Sequence, residues 1–278
     1  MRFISCHDGK LQTLETAGLK ASPERAFATG LAEWDALAPQ QMLARGAVHE
    51  LLFDPGDGPP KFVASLLSRA ACHPEGSYAT RGISGSNDAR TPRSLGRQGS
   101  LGMTCLAADA QLPTIWSDPR GEIYPPALAS MGFDLTKTFL LRTSNDEDES
   151  WAVAECLRCR GVGAVIAASP ASRKMSRIEA RRLQLAAERG GSVGILLRQT
   201  GRGADVYAAA TRWKVAPAPG ERTVQRWTIQ LLHGHGGRVG ETVILEWCRE
   251  TNSVRTVKKL ADRPAAKTTA TNRRRAMA

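Results

Sequence analysis

The chain has 278 residues, a net charge of +11 and a hydrophobic content of 42%, which suits a sizeable core and excludes a small fold held by disulfides. No run of about 18 apolar residues is present to span a membrane, and residues 1–10 lack the apolar stretch of a secretory signal. The six cysteines show no disulfide-framework spacing, so we predict a soluble, cytoplasmic protein in a reducing compartment.

Residues 1–44 predict a short helical segment ahead of the main fold. The Ser-Pro pair at 22–23 suits an N-cap and a first helical position. The helix-compatible run 24–38 then ends at a proline, so we expect one helix over this run.

Residues 45–248 predict the main α/β core. Ala47–Phe53 is typical of a buried strand, residues 54–60 of a turn, and Lys61–Ala71 has apolar residues at helical spacing. Further strands are predicted at 113–116, 138–141, 162–168 and 193–197, alternating with helices at 125–131, 149–160 and 176–189. This alternation favours parallel pairing with helices on both faces of the sheet.

The end of the core changes to an antiparallel pattern. Val224–Leu232 and Glu241–Trp247 alternate apolar and polar residues around a glycine-rich turn, as in a β-hairpin. We therefore predict an α/β fold with a mostly parallel sheet, closed within residues 204–248 by a C-terminal antiparallel hairpin.

Two segments lack the composition of a packed core. Residues 73–110 are dense in Gly, Ser and Arg and predict a disordered surface insertion. Residues 249–278 carry nine basic and two acidic side chains and predict a disordered basic tail. Such a tail suits either solubility or contact with a polyanion through counterion release. The candidate contact residues in it are Lys258, Lys259, Arg273, Arg274 and Arg275.

The turn after the first core strand resembles a phosphate-binding loop that has lost its key residues. A working loop reads G-x-x-x-x-G-K-[ST], but here Gly56 and Gly58 are followed by two prolines, which cannot donate backbone N–H bonds. Lys61 comes one residue early, and Phe62 stands where a hydroxyl would hold Mg²⁺. We interpret Gly56, Gly58 and Lys61 as a degenerate P-loop and expect no ATP cofactor.

The strand predicted at 162–168 also lacks a catalytic feature. Its end reads Ile-Ala-Ala-Ser, with no carboxylate to coordinate Mg²⁺. The loop has lost its phosphate-binding residues and the strand its Mg²⁺-binding carboxylate, so we predict that the chain is not an enzyme.

No metal site is predicted. Cys156 and Cys159 form one CxxC on a predicted amphipathic helix without a second ligand pair, so we interpret them as packing residues. His233 and His235 are interpreted as solvent-facing turn residues, and the acidic run 146–149 as a solvated helix start.

The helix predicted at 176–189 carries a dense cationic group. Ser176 and Glu179 form a capping box, and Ile178 and Leu185 are expected to face the sheet. The positive charges suit either a solvated surface or contact with DNA or an acidic partner. The candidate contacts are Arg173, Lys174, Arg177, Arg181 and Arg182.

Four segments together resemble the ImuA family, the RecA-like proteins of bacterial damage-inducible mutagenesis. They are Arg45–Glu50, Gly121–Asp134, Arg181–Glu188 and Trp227–Trp247. The resemblance covers residues 20–248 and implies a RecA-type P-loop core. It also implies an accessory role in the SOS mutasome, with a catalytically inactive Y-family polymerase relative and an error-prone replicative-type polymerase as partners.

Comparison with RecA implies two relic ATPase positions. Asp118 falls near the place of RecA's catalytic carboxylate, and Gln199 resembles its nucleotide-sensing glutamine. RecA and DNA are further candidate partners, and C-terminal regions are implied as contact surfaces. The leading hypothesis is a non-catalytic RecA-like adaptor in translesion synthesis. The alternatives are a DNA-stimulated ATPase using Lys61, Asp118 and Gln199, and a DNA-binding protein acting through its tail.

Overall fold

The computed structural model describes residues 3–7, 10–14, 25–72, 112–168, 175–201 and 208–257. The strands are β1 Phe3–His7, β2 Lys10–Leu14, β3 Ala26–Phe27, β4 Leu43–Ala44, β5 Ala47–Phe53, β6 Thr114–Ser117, β7 Thr138–Leu141, β8 Ala164–Ala168, β9 Val193–Gln199, β10 Thr211–Ala218, β11 Val224–Gly234, β12 Thr242–Cys248 and β13 Ser253–Val257. The helices are α1 Ala32–Asp35, α2 Lys61–Cys72, α3 Pro125–Ser130, α4 Asp146–Arg158 and α5 Arg177–Gly190, with 3₁₀ turns at Pro39–Gln41 and Leu135–Lys137. The predicted insertion at 73–110 lies outside the described residues.

One nine-stranded mixed sheet organises the fold, in the order β13-β12-β11-β10-β5-β9-β8-β6-β7. The strands from β10 to β7 in this order pair in parallel, whereas β11, β12 and β13 extend the sheet as an antiparallel meander. The predicted α/β class with a mostly parallel sheet is confirmed. Because the parallel strands share one direction, their carboxyl ends meet at one edge.

Two hydrophobic cores lie on opposite faces of the sheet. On one face, Leu66 of α2 packs in the same core as Leu51 and Ile195. On the other face, Leu157 of α4 shares a core with Val48. Every residue of β5 is buried, which is why this strand is a continuous apolar run interrupted only by two polar side chains. The predicted strands and helices of the core are found within a few residues of their expected bounds.

The helix predicted over residues 24–38 is wrong. The chain instead forms β3, which pairs with β4, and the helical part is confined to α1. Gly30 has a φ of 80°, a left-handed conformation that interrupts a helix. The Asp35 carboxylate accepts hydrogen bonds from the Thr29 hydroxyl at 2.7 Å and the Thr29 amide at 2.8 Å. These contacts fix a turn where propensity alone favoured a helix.

A tryptophan pair attaches this segment to the sheet. Trp34 and Trp213 are both fully buried, and their rings meet edge to face with centroids 6.1 Å apart. Tertiary packing, which single-residue propensity does not report, therefore determines the local structure here.

The predicted C-terminal hairpin corresponds to β11 and β12, but the antiparallel region is larger than predicted. Strand β10, which pairs with both β5 and β11, was not predicted. Strand β13 lies inside the segment predicted as a disordered tail from residue 249, and it pairs with β12 from Ser253 to Val257. The prediction of disorder is therefore wrong for Ser253–Val257, and Val254 packs against the core. Residues 258–278 lie outside the described part of the chain.

A buried histidine connects three strands. His49 of β5 bonds through Nε2 to the Ala44 carbonyl at 2.9 Å and through Nδ1 to the Thr211 hydroxyl at 2.7 Å. The Trp213 indole donates to the same hydroxyl at 2.8 Å. Burial lowers the pKa of His49 to about 4, so the imidazole is neutral near pH 7 and acts as a structural cross-link between β4, β5 and β10.

Candidate functional site

A cavity of about 590 Å³ lies at the carboxyl edge of the parallel strands. Residues from the ends of β5, β6, β8 and β9 line it, together with the loop after β5. Strands β8 and β9 lie between β5 and β6, so the chain crosses over two strands after the loop. Such crevices at the carboxyl ends of strands are the usual ligand sites of open α/β sheets.

The structure brings the predicted P-loop and relic ATPase residues together. Gly56, Gly58, Lys61, Asp118 and Gln199 all line this cavity. The two glycines have φ values of 101° and 71°, and no atom lies within 4 Å of where a Cβ would be. They are therefore required for the path of the backbone and not for a close contact.

The ammonium group of Lys61 has a carboxylate partner within the chain. Its Nζ lies 2.6 Å from Oε2 of Glu122, and the pKa of Glu122 is lowered by that hydrogen bond and by the lysine's charge. The positive charge of Lys61 therefore already has a counter-charge within the chain. Glu122 was not among the predicted site residues, because it is 61 residues away from Lys61 in the chain.

Asp118 has a structural role in the loop after β6. Its side chain is buried, with 3% exposure. The carboxylate accepts hydrogen bonds from the backbone N–H of Glu122 at 2.7 Å and of Ile123 at 3.2 Å. Asp118 therefore places Glu122 opposite Lys61, and both of its oxygens are engaged by backbone amides.

Glu149 is a second buried carboxylate beside the cavity. It lies in α4, is 5% exposed and accepts a hydrogen bond from the Ser117 hydroxyl. The interpretation of residues 146–149 as wholly solvated is corrected at this residue. Its spacing of four from Val153 and eight from Leu157, both buried, was the available signal, since such spacing places residues on one helix face.

Three residues around the cavity carry buried polar atoms with unmet hydrogen-bonding capacity. Among the described residues, Trp116 Nε1, Thr143 Oγ1 and Gln199 Oε1 are buried without a hydrogen-bond partner, and all three residues line the cavity. Such groups are rare in folded proteins. An indole donor, a hydroxyl and an amide oxygen together suit a small polar ligand.

Phe62 occupies the position where a phosphate loop has its Mg²⁺-binding hydroxyl, and its side chain packs against two tryptophans. Its ring stacks on Trp227 with centroids 4.8 Å apart and an interplanar angle of 11°. The ring of Trp247 also contacts the Phe62 ring, with centroids 4.9 Å apart. The first turn of α2 thereby holds the antiparallel meander against the parallel part of the sheet.

The structure groups no metal ligands in the ranges it describes. No three His, Cys, Asp or Glu side chains there are arranged to hold a metal ion. Cys156 is partly buried near the end of α4, Cys159 is exposed just after it, and neither forms a disulfide. Burial raises the pKa of Cys156, which makes its thiol less reactive.

The predicted cationic residues of α5 form one face of a groove. Arg177, Arg181 and Arg182 line an open depression of about 540 Å³ together with Arg158 and Arg189, which the sequence analysis did not select. The expectation that Ile178 faces the sheet is wrong, because this side chain is 83% exposed. The other predicted contacts lie outside the described residues: Arg173, Lys174, Lys258, Lys259, Arg273, Arg274 and Arg275.

Comparison with known proteins identifies a relative. The chain is 27% identical over 170 residues to Protein ImuA of Caulobacter vibrioides strain NA1000 / CB15N, and the match covers 55% of this chain and 68% of the relative. Protein ImuA of strain ATCC 19089 / CIP 103742 / CB 15 matches to the same extent. The chain is a homologue of ImuA.

This homology confirms the resemblance drawn from the four sequence segments. No family model matches the chain. None of the helices in the described ranges is long and apolar enough to cross a membrane.

Proposed function

We propose that this ImuA homologue acts in damage-inducible mutagenesis as a non-catalytic RecA-like adaptor of translesion DNA synthesis. The observation that carries the non-catalytic part is Phe62, which stands where a P-loop protein has its Mg²⁺-binding hydroxyl and stacks on Trp227 with centroids 4.8 Å apart. The pairing of Lys61 with Glu122 at 2.6 Å agrees with it. The homology to ImuA supports the role in mutagenesis.

The architecture supports a RecA-like core. Strand β5 lies inside the parallel region and leads through a glycine-containing turn into α2. That order of strand, loop and helix is the P-loop arrangement. The cavity lies beside the loop, at the carboxyl edge of the sheet, where such proteins bind their nucleotide.

The side chains around the loop support the absence of catalysis. The lysine is paired with Glu122, and Asp118 is engaged by two backbone amides. Phe62 packs against tryptophans and cannot hold a metal ion. The end of β8 provides no carboxylate among Ile166–Ala168. Phosphoryl transfer depends on a cation, a metal and a positioned carboxylate. Here the lysine is paired, the Mg²⁺-binding position is a phenylalanine and the end of β8 has no carboxylate, which supports the proposal.

One observation favours the alternative of an atypical ATPase. The unpaired Thr143 and Gln199 oxygens belong to the same cavity as Lys61, so the cavity retains polar groups suited to a ligand. The pairing of Lys61 and Glu122 is half exposed, with 32% and 47% exposure. Such a pair is worth no more than about 1 kcal/mol, and a tightly bound phosphate could displace it.

ATP turnover by the purified full chain distinguishes the two. We expect no hydrolysis above background with or without single-stranded DNA, and the same result for Lys61→Ala. Lys214→Ala is the matched control, because Lys214 also pairs with a carboxylate, Asp54 at 2.9 Å, but does not line the cavity. DNA-stimulated hydrolysis that is lost in Lys61→Ala and kept in Lys214→Ala would establish the ATPase.

The partners follow from the resemblance. The proposed partners are the inactive Y-family polymerase relative, the error-prone replicative-type polymerase, RecA and DNA. A cytoplasmic location is part of the same proposal.

A further inference from the structure

We infer that the arginine-rimmed groove on α5 is a docking surface for an acidic, amphipathic helical segment of a protein partner. This inference rests on the adaptor function proposed above, because an adaptor needs surfaces that recognise other proteins. The groove lies on the α4–α5 face of the sheet, and its lining shares no residue with the cavity at the carboxyl edge.

The groove combines a cationic rim with an aliphatic floor. We call its aliphatic lining residues Ile178, Leu185 and Ala186 the floor, and its lining arginines the rim. Ile178 is 83% exposed, the most exposed large hydrophobic side chain in the described part of the chain. The rim arginines are Arg158, Arg177, Arg181, Arg182 and Arg189.

The rim retains charge for a partner. Two rim arginines form ion pairs with described carboxylates. Arg158 pairs with Glu155, and Arg181 lies 3.8 Å from Glu188. No described carboxylate pairs with Arg177, Arg182 or Arg189. Arginine forms planar two-pronged hydrogen bonds with carboxylates, so an acidic partner is complementary to this rim.

The aliphatic floor favours a protein segment over nucleic acid. Phosphate contacts use charge and hydrogen bonds and gain nothing from an exposed isoleucine. Single-stranded nucleic acid binds by stacking its bases on aromatic rings, and the groove lining contains none. An amphipathic helix instead places apolar residues at i, i+3, i+4 and i+7 into such a floor while its acidic residues meet the rim.

The groove is held rigid at both ends of the helix pair. At one end, Ser150 of α4 donates a hydrogen bond to Glu179 of α5 at 2.7 Å. At the other end, the Ser192 hydroxyl donates to the Leu157 carbonyl at 2.6 Å. A Cβ on Gly190 would lie 2.0 Å from that same carbonyl oxygen, so the helices approach as closely as a glycine allows. Preorganised surfaces bind with a smaller entropic cost.

The test is selection by the purified full chain from a displayed library of about 20-residue segments encoded by the source genome, a length that spans several helical turns. We expect enrichment of segments with net negative charge and apolar residues at helical spacing. Synthetic peptides of the enriched segments should bind Ile178→Ser and Arg182→Glu at least about tenfold more weakly, a change typical of losing one important interface residue.

Two control variants and one competing ligand make the test decisive. Val239→Ser removes another exposed hydrophobic side chain, with 59% exposure, and Arg222→Glu reverses another exposed arginine; both should bind the peptides normally. The inference is overturned if the enriched segments have no acidic bias, or if Ile178→Ser binds them as well as the unmodified chain. It is also overturned if the Arg182→Glu variant binds single-stranded DNA more weakly but binds every peptide as well as the unmodified chain does. These outcomes leave the mutagenesis role untouched, because they concern this surface alone.

Discussion

Replacing Glu50 with Gln is expected to lower the free energy of unfolding by about 3–5 kcal/mol, the range for removing one partner of a buried ion pair. Glu50 is 1% exposed and binds two arginines, Arg198 at 2.8 Å and Arg212 at 2.9 Å, whose side chains are 4% and 11% exposed. Its loss leaves two guanidinium groups in the sheet without their shared carboxylate. Denaturant unfolding of the full chain measures the change.

Glu246→Gln provides the matched control. Glu246 also joins two arginines, Arg226 and Arg255, but their side chains are 31% and 69% exposed, so water solvates them when the carboxylate is removed. We expect a loss of about 1 kcal/mol, in keeping with partly exposed ion pairs. Equal losses for both variants would show that burial of Arg198 does not determine the effect. The triad matters for the site because it fixes β5 between β9 and β10, and β5 leads into the degenerate loop.

Replacing Phe62 with Thr restores the residue type of a working phosphate loop, yet we expect a less stable protein that still does not hydrolyse ATP. The expected loss is about 2 kcal/mol, below the range for truncating a fully buried phenylalanine, because the ring is partly buried yet stacks on Trp227 and contacts Trp247. Thermal or denaturant unfolding, with ATP turnover on the same samples, measures both effects.

Tyr124→Thr is the control for this variant. Tyr124 is 69% exposed and lies just before α3, so its truncation should change the unfolding free energy by no more than about 0.5 kcal/mol, as is usual at the surface. ATP hydrolysis that begins in Phe62→Thr would contradict the non-catalytic proposal, and a stability equal to that of the unmodified chain would contradict the packing role.

Sequence patterns predicted the elements whose signals are local. The buried run at Ala47–Phe53 and the alternation at Val224–Leu232 both correspond to strands of the sheet. The place of the degenerate loop was also predictable, because its Gly, Pro and Lys residues are contiguous. The resemblance to RecA, and no local pattern, pointed to Asp118 and Gln199. The structure brings them to one site because Asp118 follows β6 and Gln199 ends β9 at the same edge of the sheet.

The remaining features depend on contacts between distant residues. The role of Glu122 depends on its ion pair with Lys61, and the role of Trp34 depends on its ring contact with Trp213. Neither pair has a signal in the local sequence. Strand β13 was hidden by the basic composition around it, because its single strong contribution to the core is Val254. Periodicity also cannot say which helix faces lack a neighbour, which is why the exposure of Ile178 was not foreseen.

The most direct test of the proposed role is damage-induced mutation frequency in the source organism. Cells lacking the gene should show no increase in mutations after DNA damage, and a copy carrying Lys61→Ala should restore the increase as fully as the unmodified gene. Western blotting of both proteins controls for their abundance. An unchanged mutation frequency in the deletion strain would contradict the role in mutagenesis. A Lys61→Ala copy that is present at normal levels but restores nothing would contradict the non-catalytic adaptor.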